Sequence, residues 1–371
     1  MEPLHDAESR GAREAGIAVF AGRVILDARP PIGDDELAAV RDRCAGPVPE
    51  GLVALWRVSF GGWLDYDLRV ELGGVDVPFS CSELFRPGDG YRDLWGWIDH
   101  EAEIGEVERL TYLPFGGFEY LDRVYATTAG PDRGSVMAWQ QGLPPAWQIR
   151  PGDRAGRVAD DVHGLFARLA LETDPWADGD SGERLRDAVD ELGGGLGDKL
   201  RAIVRGAVLD WRSAVERGTV RGDARLRRLA LQHAAAADDL ALLDRLASLG
   251  CDLSEDVGSG LTPLDVAVQH GRERTARWLL ARDAPATNAL RFGAAAVSLD
   301  LARDLLARGA VTSLDTVAAA ARNEDFAVLE LLAATIGDKA ALAKRLKDLA
   351  QWSRADDTRL AALRRLAREQ H

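Results

Sequence analysis

The sequence predicts an α+β N-terminal domain, an antiparallel sheet with flanking helices, followed by an all-α C-terminal repeat array. Three observations predict it. In the first half, residues 66–80 alternate apolar and polar, and apolar runs at 110–116, 118–128 and 134–141 read as strands. In the second half, GLTPLDVAVQHGRERTARWLLARDA (260–284) gives a small-residue turn, a Pro-led helix, Gly271 and a second helix ending in Leu279-Leu280. Shifted back 33 residues, LALQHAAAADDLALLDRLASLGCD (229–252) aligns with it: Leu231 under Leu264, Ala234 under Ala267, Leu246 under Leu279, Gly250 under Asp283. A two-helix unit cannot bury its apolar side alone, so such self-similarity implies stacked neighbours.

Residues 1–15 are polar and read as a disordered tail, and 16–28 as a helix edge or a strand. Asp34 or Asp35 can cap a helix running to about Cys44, which Pro47 and Pro49 end. From about Pro49 a second helix carries Leu52, Leu55, Trp56 and Phe60 at helical spacing and stops at Gly61-Gly62. YDLRVELGGVDVPFS (66–80) reads as a hairpin turning at Gly73-Gly74, and 89–105 as partly helical. The runs at 118–128 and 134–141 pair across the turn AGPDRG. Residues 153–173 read as an amphipathic helix, with Val158, Val162, Leu165 and Phe166 on one face.

The domain boundaries follow: an α+β domain at 16–173, a linker at 174–183, a helical connector at 184–222 broken at GGGLG, repeats at 223–337 and a polar helical cap at 338–371. Two repeats, 289–310 and 313–335, are shorter. They keep Leu305-Leu306 and Leu331-Leu332, 26 residues apart, and lose the connecting hairpin.

The chain has 371 residues and a net charge of −14, unevenly spread. Residues 1–180 hold 32 acidic against 17 basic side chains, whereas the remainder is near neutral. An acidic domain repels nucleic acid and attracts basic partners, although acidity also serves solubility. Three scattered cysteines, at 44, 81 and 251, make neither a zinc motif nor a disulfide framework. The N-terminus lacks the apolar stretch of a signal peptide, and no apolar run is long enough for a membrane span. A cytoplasmic address is expected. The dominance of Arg over Lys, with abundant Ala, Gly and Asp, suggests a high-GC bacterial genome.

A search for chemistry yields little. His100, in Ile98-Asp99-His100-Glu101, is the one position with metal-ligand character, and no second His stands at a fixed spacing; a solvated loop is the simpler reading. GGGLGDK (193–199) fails as a phosphate loop because Leu200 follows Lys199 and no strand precedes it. No Gly-x-Ser-x-Gly elbow occurs, and the cysteines lack a His and Asn context. The expectation is no catalytic residue, no metal and no cofactor. Aromatics are concentrated in the first domain. Core packing accounts for most, but Trp63, Asp65, Tyr66 and Asp67, with Trp97, Asp99 and Glu101, combine rings and carboxylates as interface hot spots do. Trp95 and Trp97 would share a face on a strand. Reversing the charge of Asp65 and Asp67 is expected to slow association with a basic partner at low salt.

The 33-residue unit with Thr262-Pro263-Leu264 resembles the ankyrin repeat. Those three residues are read as structural. Asp265 stands where the repeat usually has His, so the customary His–Thr hydrogen bond is expected to be lost. In the first half, PPIGDDELAAVRDRCAGPVPEGLVALWRVSFGG (30–62) and YLPFGGFEYLDRVYATT…GSVMAWQQGLPPAW (112–147) together resemble the SUKH superfamily of Smi/Knr-like domains. Gly61-Gly62, Pro114, Phe115, Gly116 and Gly134-Ser135-Val136 carry the match, which spans about 145 residues; Ser59-Phe60-Gly61 replaces the usual Asn-Gly turn. Bacterial members of that superfamily are commonly immunity proteins that neutralise a cognate toxin, and ankyrin repeats serve in the same systems. The resemblance therefore implies a protein-binding molecule, not an enzyme. Its partner would be a cognate toxin domain, basic and nuclease-like, with no nucleic acid or membrane partner. The alternatives are an interaction adaptor or scaffold without a toxin, and an unrecognised enzyme.

Overall fold

The computed structural model describes residues 4–88, 90, 93–119, 121–142, 146–147, 154–177, 181–352 and 357–369, divided between two compact units, Met1–Leu209 and Asp210–His371. Parts of the sequence assignments at 89, 91–92, 120, 143–145, 148–153, 178–180, 353–356 and both chain ends lie outside the described residues.

The first unit is mixed α and β. Its N-terminal stretch is not a loose tail: Asp6–Glu14 forms α1. The His5 amide donates to Glu8 Oε2 at 2.9 Å, Lys199 Nζ pairs with Glu8 Oε1 at 2.6 Å, and Ala12 is buried among Leu185, Val189 and Leu200. The helix is thus held by residues far along the chain, which no local pattern announces. A short hairpin follows, β1 (Ala18–Phe20) with β2 (Arg23–Ile25). Next is α2 (Asp34–Asp42), whose N-cap is Gly33; neither aspartate caps it, and Asp34 instead pairs with Arg57. Pro49 starts α3 (Glu50–Val58), which buries Leu52, Leu55 and Trp56.

Gly61 and Gly62 then turn the chain at φ of 111° and 146°, values that L residues rarely adopt. A Cβ on Gly62 would stand 2.5 Å from Ile25 Cγ2, and one on Gly61 would stand 2.7 Å from Arg86 Cβ. Ser59, fully buried, fixes the turn by donating from Oγ to the Gly61 carbonyl at 2.6 Å and accepting from the Arg29 amide at 2.9 Å.

Past the turn lie β3 (Gly62–Trp63), the β4–β5 hairpin (Leu68–Leu72 with Val75–Phe79), β6 (Glu83–Leu84), α4 (Leu94–Gly105), β7 (Tyr112–Phe118), β8 (Asp122–Thr127), β9 (Val136–Trp139) and β10 (Ala155–Ala159). Six of these strands form one antiparallel sheet in the order β10-β9-β8-β7-β6-β3. Strand β8 is near the middle, and all six of its residues are buried. Strand β7 pairs with β8 on one edge, with a register shift at Pro114–Gly116, and with β6 on the other; a Cβ on Gly116 would meet the Glu83 carbonyl at 2.7 Å.

Two assignments are corrected here. Residues 153–173 are not one helix: 155–159 pair with β9, and helix α5 (Val162–Arg168) starts only where the Asp161 side chain caps the Gly164 amide. Pairing with a distant strand overrides the local helical pattern. Residues 174–183 and the start of the connector belong to the first unit, which continues through α6 (Glu183–Leu192) and α7 (Gly194–Arg205).

The second unit is helical. It comprises α8 (Trp211–Glu216), a 3-10 turn at Val220–Gly222, α9 (Ala224–Ala236), α10 (Leu240–Ser248), α11 (Pro263–Gln269), α12 (Glu273–Leu280), α13 (Ala289–Gly293), α14 (Leu299–Ala307), α15 (Leu314–Ala320), α16 (Phe326–Ala334), α17 (Lys339–Trp352) and α18 (Asp357–Glu369). Alternate helices α9, α11, α13, α15 and α17 pack in a continuous row, each also packed on the helix that follows it. Leu231, Ala234, Leu246, Leu264, Ala267 and Leu279 are all fully buried in its core. The backbone repeats with them. Asp238 and Gly271, 33 residues apart, have φ of 59° and 65°; Gly250 and Asp283, again 33 apart, have 76° and 60°. Thr262 caps α11, and Pro263 occupies its first turn. With Asp265 at this position the cap has no His–Thr hydrogen bond, and an aspartate–threonine pair stands there. Asp265 Oδ2 accepts from the Thr262 amide at 2.8 Å and from its hydroxyl at 2.9 Å, which ties the carboxylate to the start of α11.

Candidate functional site

Trp63 is fixed by reciprocal backbone hydrogen bonds with Leu26, 2.7 and 2.9 Å long. The next residues form a clasp. Asp65 Oδ2 accepts from the amides of Arg184 and Leu185, at 2.9 and 3.3 Å, and so holds the first turn of α6. Tyr66 Oη accepts from the Val24 amide at 2.9 Å, and burial pushes its phenol well above the usual range. Asp67 exchanges backbone hydrogen bonds with Ala170, and its Oδ2 accepts from the Glu172 amide at 3.0 Å. Three predicted hot spots therefore tie together segments more than 40 residues apart. Charge reversal at Asp65 or Asp67 would unmake these contacts, so it would not isolate a steering effect.

The clasp also forms one wall of a cleft of about 460 Å³. Around it stand Trp63, Asp65, Tyr66, Asp67, Glu172 and Arg184, with Phe79, Ser80, Cys81 and Phe118 among the rest of its lining. Burial pushes the Cys81 thiol up to about 12, which removes it from nucleophilic chemistry at neutral pH. Arg69 on the rim is paired with Asp76 at 2.9 Å. The cleft is thus lined by carboxylates and aromatic rings, with Arg69 and Arg184 among them.

The other predicted group lies on α4, so Trp95 and Trp97 are on a helix and do not share a face. Trp97 and Glu101, one turn apart, are buried; Asp99 points outward, its side chain 67% exposed, and pairs with Arg43 at 2.8 Å. Beneath the helix, the fully buried Arg123 lies 4.0 Å from the centre of the Trp97 ring. Its Nε donates to Tyr125 Oη at 2.8 Å, and Tyr125 donates in turn to Glu101 Oε1 at 2.8 Å. Burial raises the Glu101 carboxyl above its usual value and raises the Tyr125 phenol much further. This network fixes α4 on the sheet and is not available to a partner. His100 is on the same helix, not on a solvated loop; burial and then Arg123 lower its pKa.

No family model matches this chain, and no curated protein matches it.

Arg184, Glu172, Arg123 and Tyr125 were absent from the sequence-based set. Period two along β8 puts Arg123 and Tyr125 on one face, a signal legible in DRVYAT. Arg184 and Glu172 had no local signal, because only the clasp brings them to Trp63. The motif residues Gly61, Gly62, Pro114, Phe115 and Gly116 are buried, as are Pro263 and Leu264, and Thr262 is half-buried. Among the described residues, no group of three or more His, Cys, Asp or Glu could hold a metal ion, and no helix is long and apolar enough to cross a membrane.

Proposed function

We propose that this chain is a non-enzymatic, protein-binding immunity protein of a bacterial cytoplasm that neutralises a cognate toxin domain by covering its surface. The carrying observation is the cleft of carboxylates and aromatic rings at Trp63–Asp67, set in a unit that holds 37 acidic against 22 basic side chains over residues 1–209. Such a surface is complementary to a basic protein, including a nuclease that must itself hold phosphates. The order of α2, α3, the Gly61-Gly62 turn and the Pro114–Gly116 strand supports a SUKH-like reading of the first unit. The recurrence of left-handed residues at a 33-residue interval supports an irregular ankyrin-type reading of the second.

The test is growth rescue. Cells expressing the toxin encoded beside this gene should survive when the full chain is co-expressed, and the two proteins should co-purify. Survival without a complex would contradict the reading. Co-purification with a multi-protein assembly and no toxin would favour the adaptor alternative, which stacked helical pairs would also serve.

A further inference from the structure

The network beneath α4 is closed to a protein surface, yet three of its nitrogens stand without an acceptor. The fully buried Arg123 donates from Nε to Tyr125 Oη and from Nη2 to the Gly142 carbonyl at 3.1 Å, and its Nη1 has no hydrogen-bond partner. His100 Nε2 and Trp147 Nε1 are also buried and unpartnered. Both residues are only half-buried, so each keeps its ring nitrogen inside while other atoms meet solvent. The three groups stand around one guanidinium. Arg123 lies over the Trp97 ring, against which His100 packs with 5.5 Å between ring centres. Tyr125, which accepts from Arg123, packs edge-on against Trp147 at 4.7 Å. Trp147 is held there at φ of 41°, in the left-handed region that a bulky residue rarely adopts. A buried donor without an acceptor costs free energy, and a buried charge costs more. Among the described residues, the hydrogen-bonded link from Arg123 to a carboxylate runs at one remove, through Tyr125 Oη to Glu101.

We propose that Arg123 Nη1, His100 Nε2 and Trp147 Nε1 form a binding site for a small organic carboxylate, with the guanidinium as its charged floor. The site shares no residue with the lining of the Trp63 cleft and does not depend on the protein-binding reading. The chemistry of the three groups selects the ligand. A water molecule answers buried donors but brings no charge to the guanidinium. A carboxylate brings one negative charge, and its two oxygens carry about four acceptor sites, enough for three N–H groups. A dianion is disfavoured, because Glu101 is bonded to the same Tyr125 and like charges in a buried site repel. His100 suits the part of a neutral donor. Burial and then Arg123 lower its pKa, so at neutral pH the imidazole presents an N–H without adding a second positive charge.

The experiment adds sodium acetate to the full chain labelled with nitrogen-15, with sodium chloride and sodium sulfate at matched ionic strength as comparators. The Trp147 indole N–H, assigned with Trp147→Phe, and the Arg123 Nε–H report on the site. Acetate should shift both signals saturably at millimolar concentration, and sulfate should bind at least about five-fold more weakly. Arg123→Met removes a core residue and tests folding as much as binding, so the deciding variants are Trp147→Phe and His100→Phe. Each keeps a ring in place and removes one donor, and each should weaken acetate binding by about three- to ten-fold, read from the Arg123 Nε–H signal. No saturable shift with acetate beyond that with chloride would overturn the proposal and leave bound water as the partner of these nitrogens. Sulfate binding as tight as that of acetate would overturn the carboxylate assignment, and unchanged affinity in both variants would overturn the site. None of these results bears on toxin rescue, so the protein-binding reading stands or falls separately.

Discussion

Single residues carry costs that the fold offsets elsewhere, and Asp265 is the clearest. Its carboxyl is 1% exposed; Oδ2 serves the Thr262 cap, and Oδ1 has no hydrogen-bond partner. Burial accordingly raises its pKa above the ordinary 3.8. A raised folded-state pKa means that the protonated form is favoured on folding. The contribution is full below 3.8 and is lost as pH rises through the folded value. Asp265→Asn keeps the acceptor for Thr262 and removes the charge, so it should stabilise the second unit by about 1 kcal/mol at pH 7 and flatten its pH dependence. Urea unfolding at pH 4 and pH 7 measures both. Arg123 makes the opposite case. Its charge is balanced through Tyr125 by Glu101, and removing one member leaves the other buried and uncompensated. Arg123→Met should cost about 3–5 kcal/mol, and adding Glu101→Leu should recover part of that loss. Additive effects in that double-mutant cycle would show that Arg123 and Glu101 are not coupled.

At the scale of elements, local patterns were readable and distant pairings were not. The β4–β5 hairpin, α3 and the helix pairs α9–α10 and α11–α12 follow from alternation, from apolar residues at helical spacing and from turn residues, all within one short window. Helix α1 and strand β10 do not, because each is fixed by residues far away: Lys199 and Leu200 for α1, and Met137–Trp139 for β10. The site divides in the same way. Trp63–Asp67 stood out as rings beside carboxylates, but their engagement with Val24, Glu172 and Leu185 depends on topology. Within the repeats, Leu264 is fully buried at the position matching Leu231, so the stacked row depends on it. Leu264→Ala should destabilise the second unit by about 2–5 kcal/mol in chemical denaturation. An unchanged midpoint would mean that the 33-residue register does not describe the packing.

Across the whole molecule the charge imbalance lies within residues 1–209, and part of it is exposed at the end of α4. Glu103, Glu106 and Glu108, at and beyond the end of α4, are exposed and flanked by the exposed apolar side chains Ile104 and Val107. Glu103→Lys with Glu108→Lys should leave unfolding nearly unchanged and slow association with a basic partner by about ten-fold at low salt, with the difference shrinking at high salt. Stopped-flow association at two ionic strengths reads this directly, and salt-independent rates would remove electrostatic steering from the account. The central claim is that the chain works as a preformed surface and turns over nothing. It is tested most directly by titrating a fixed amount of active toxin with the purified full chain and recording residual toxin activity against molar ratio. Occlusion predicts a linear fall that ends at a fixed small-integer ratio and is reversed when the complex is dissociated. Complete inactivation by a small fraction of an equivalent, persisting after the chain is removed, would contradict it and identify an enzyme.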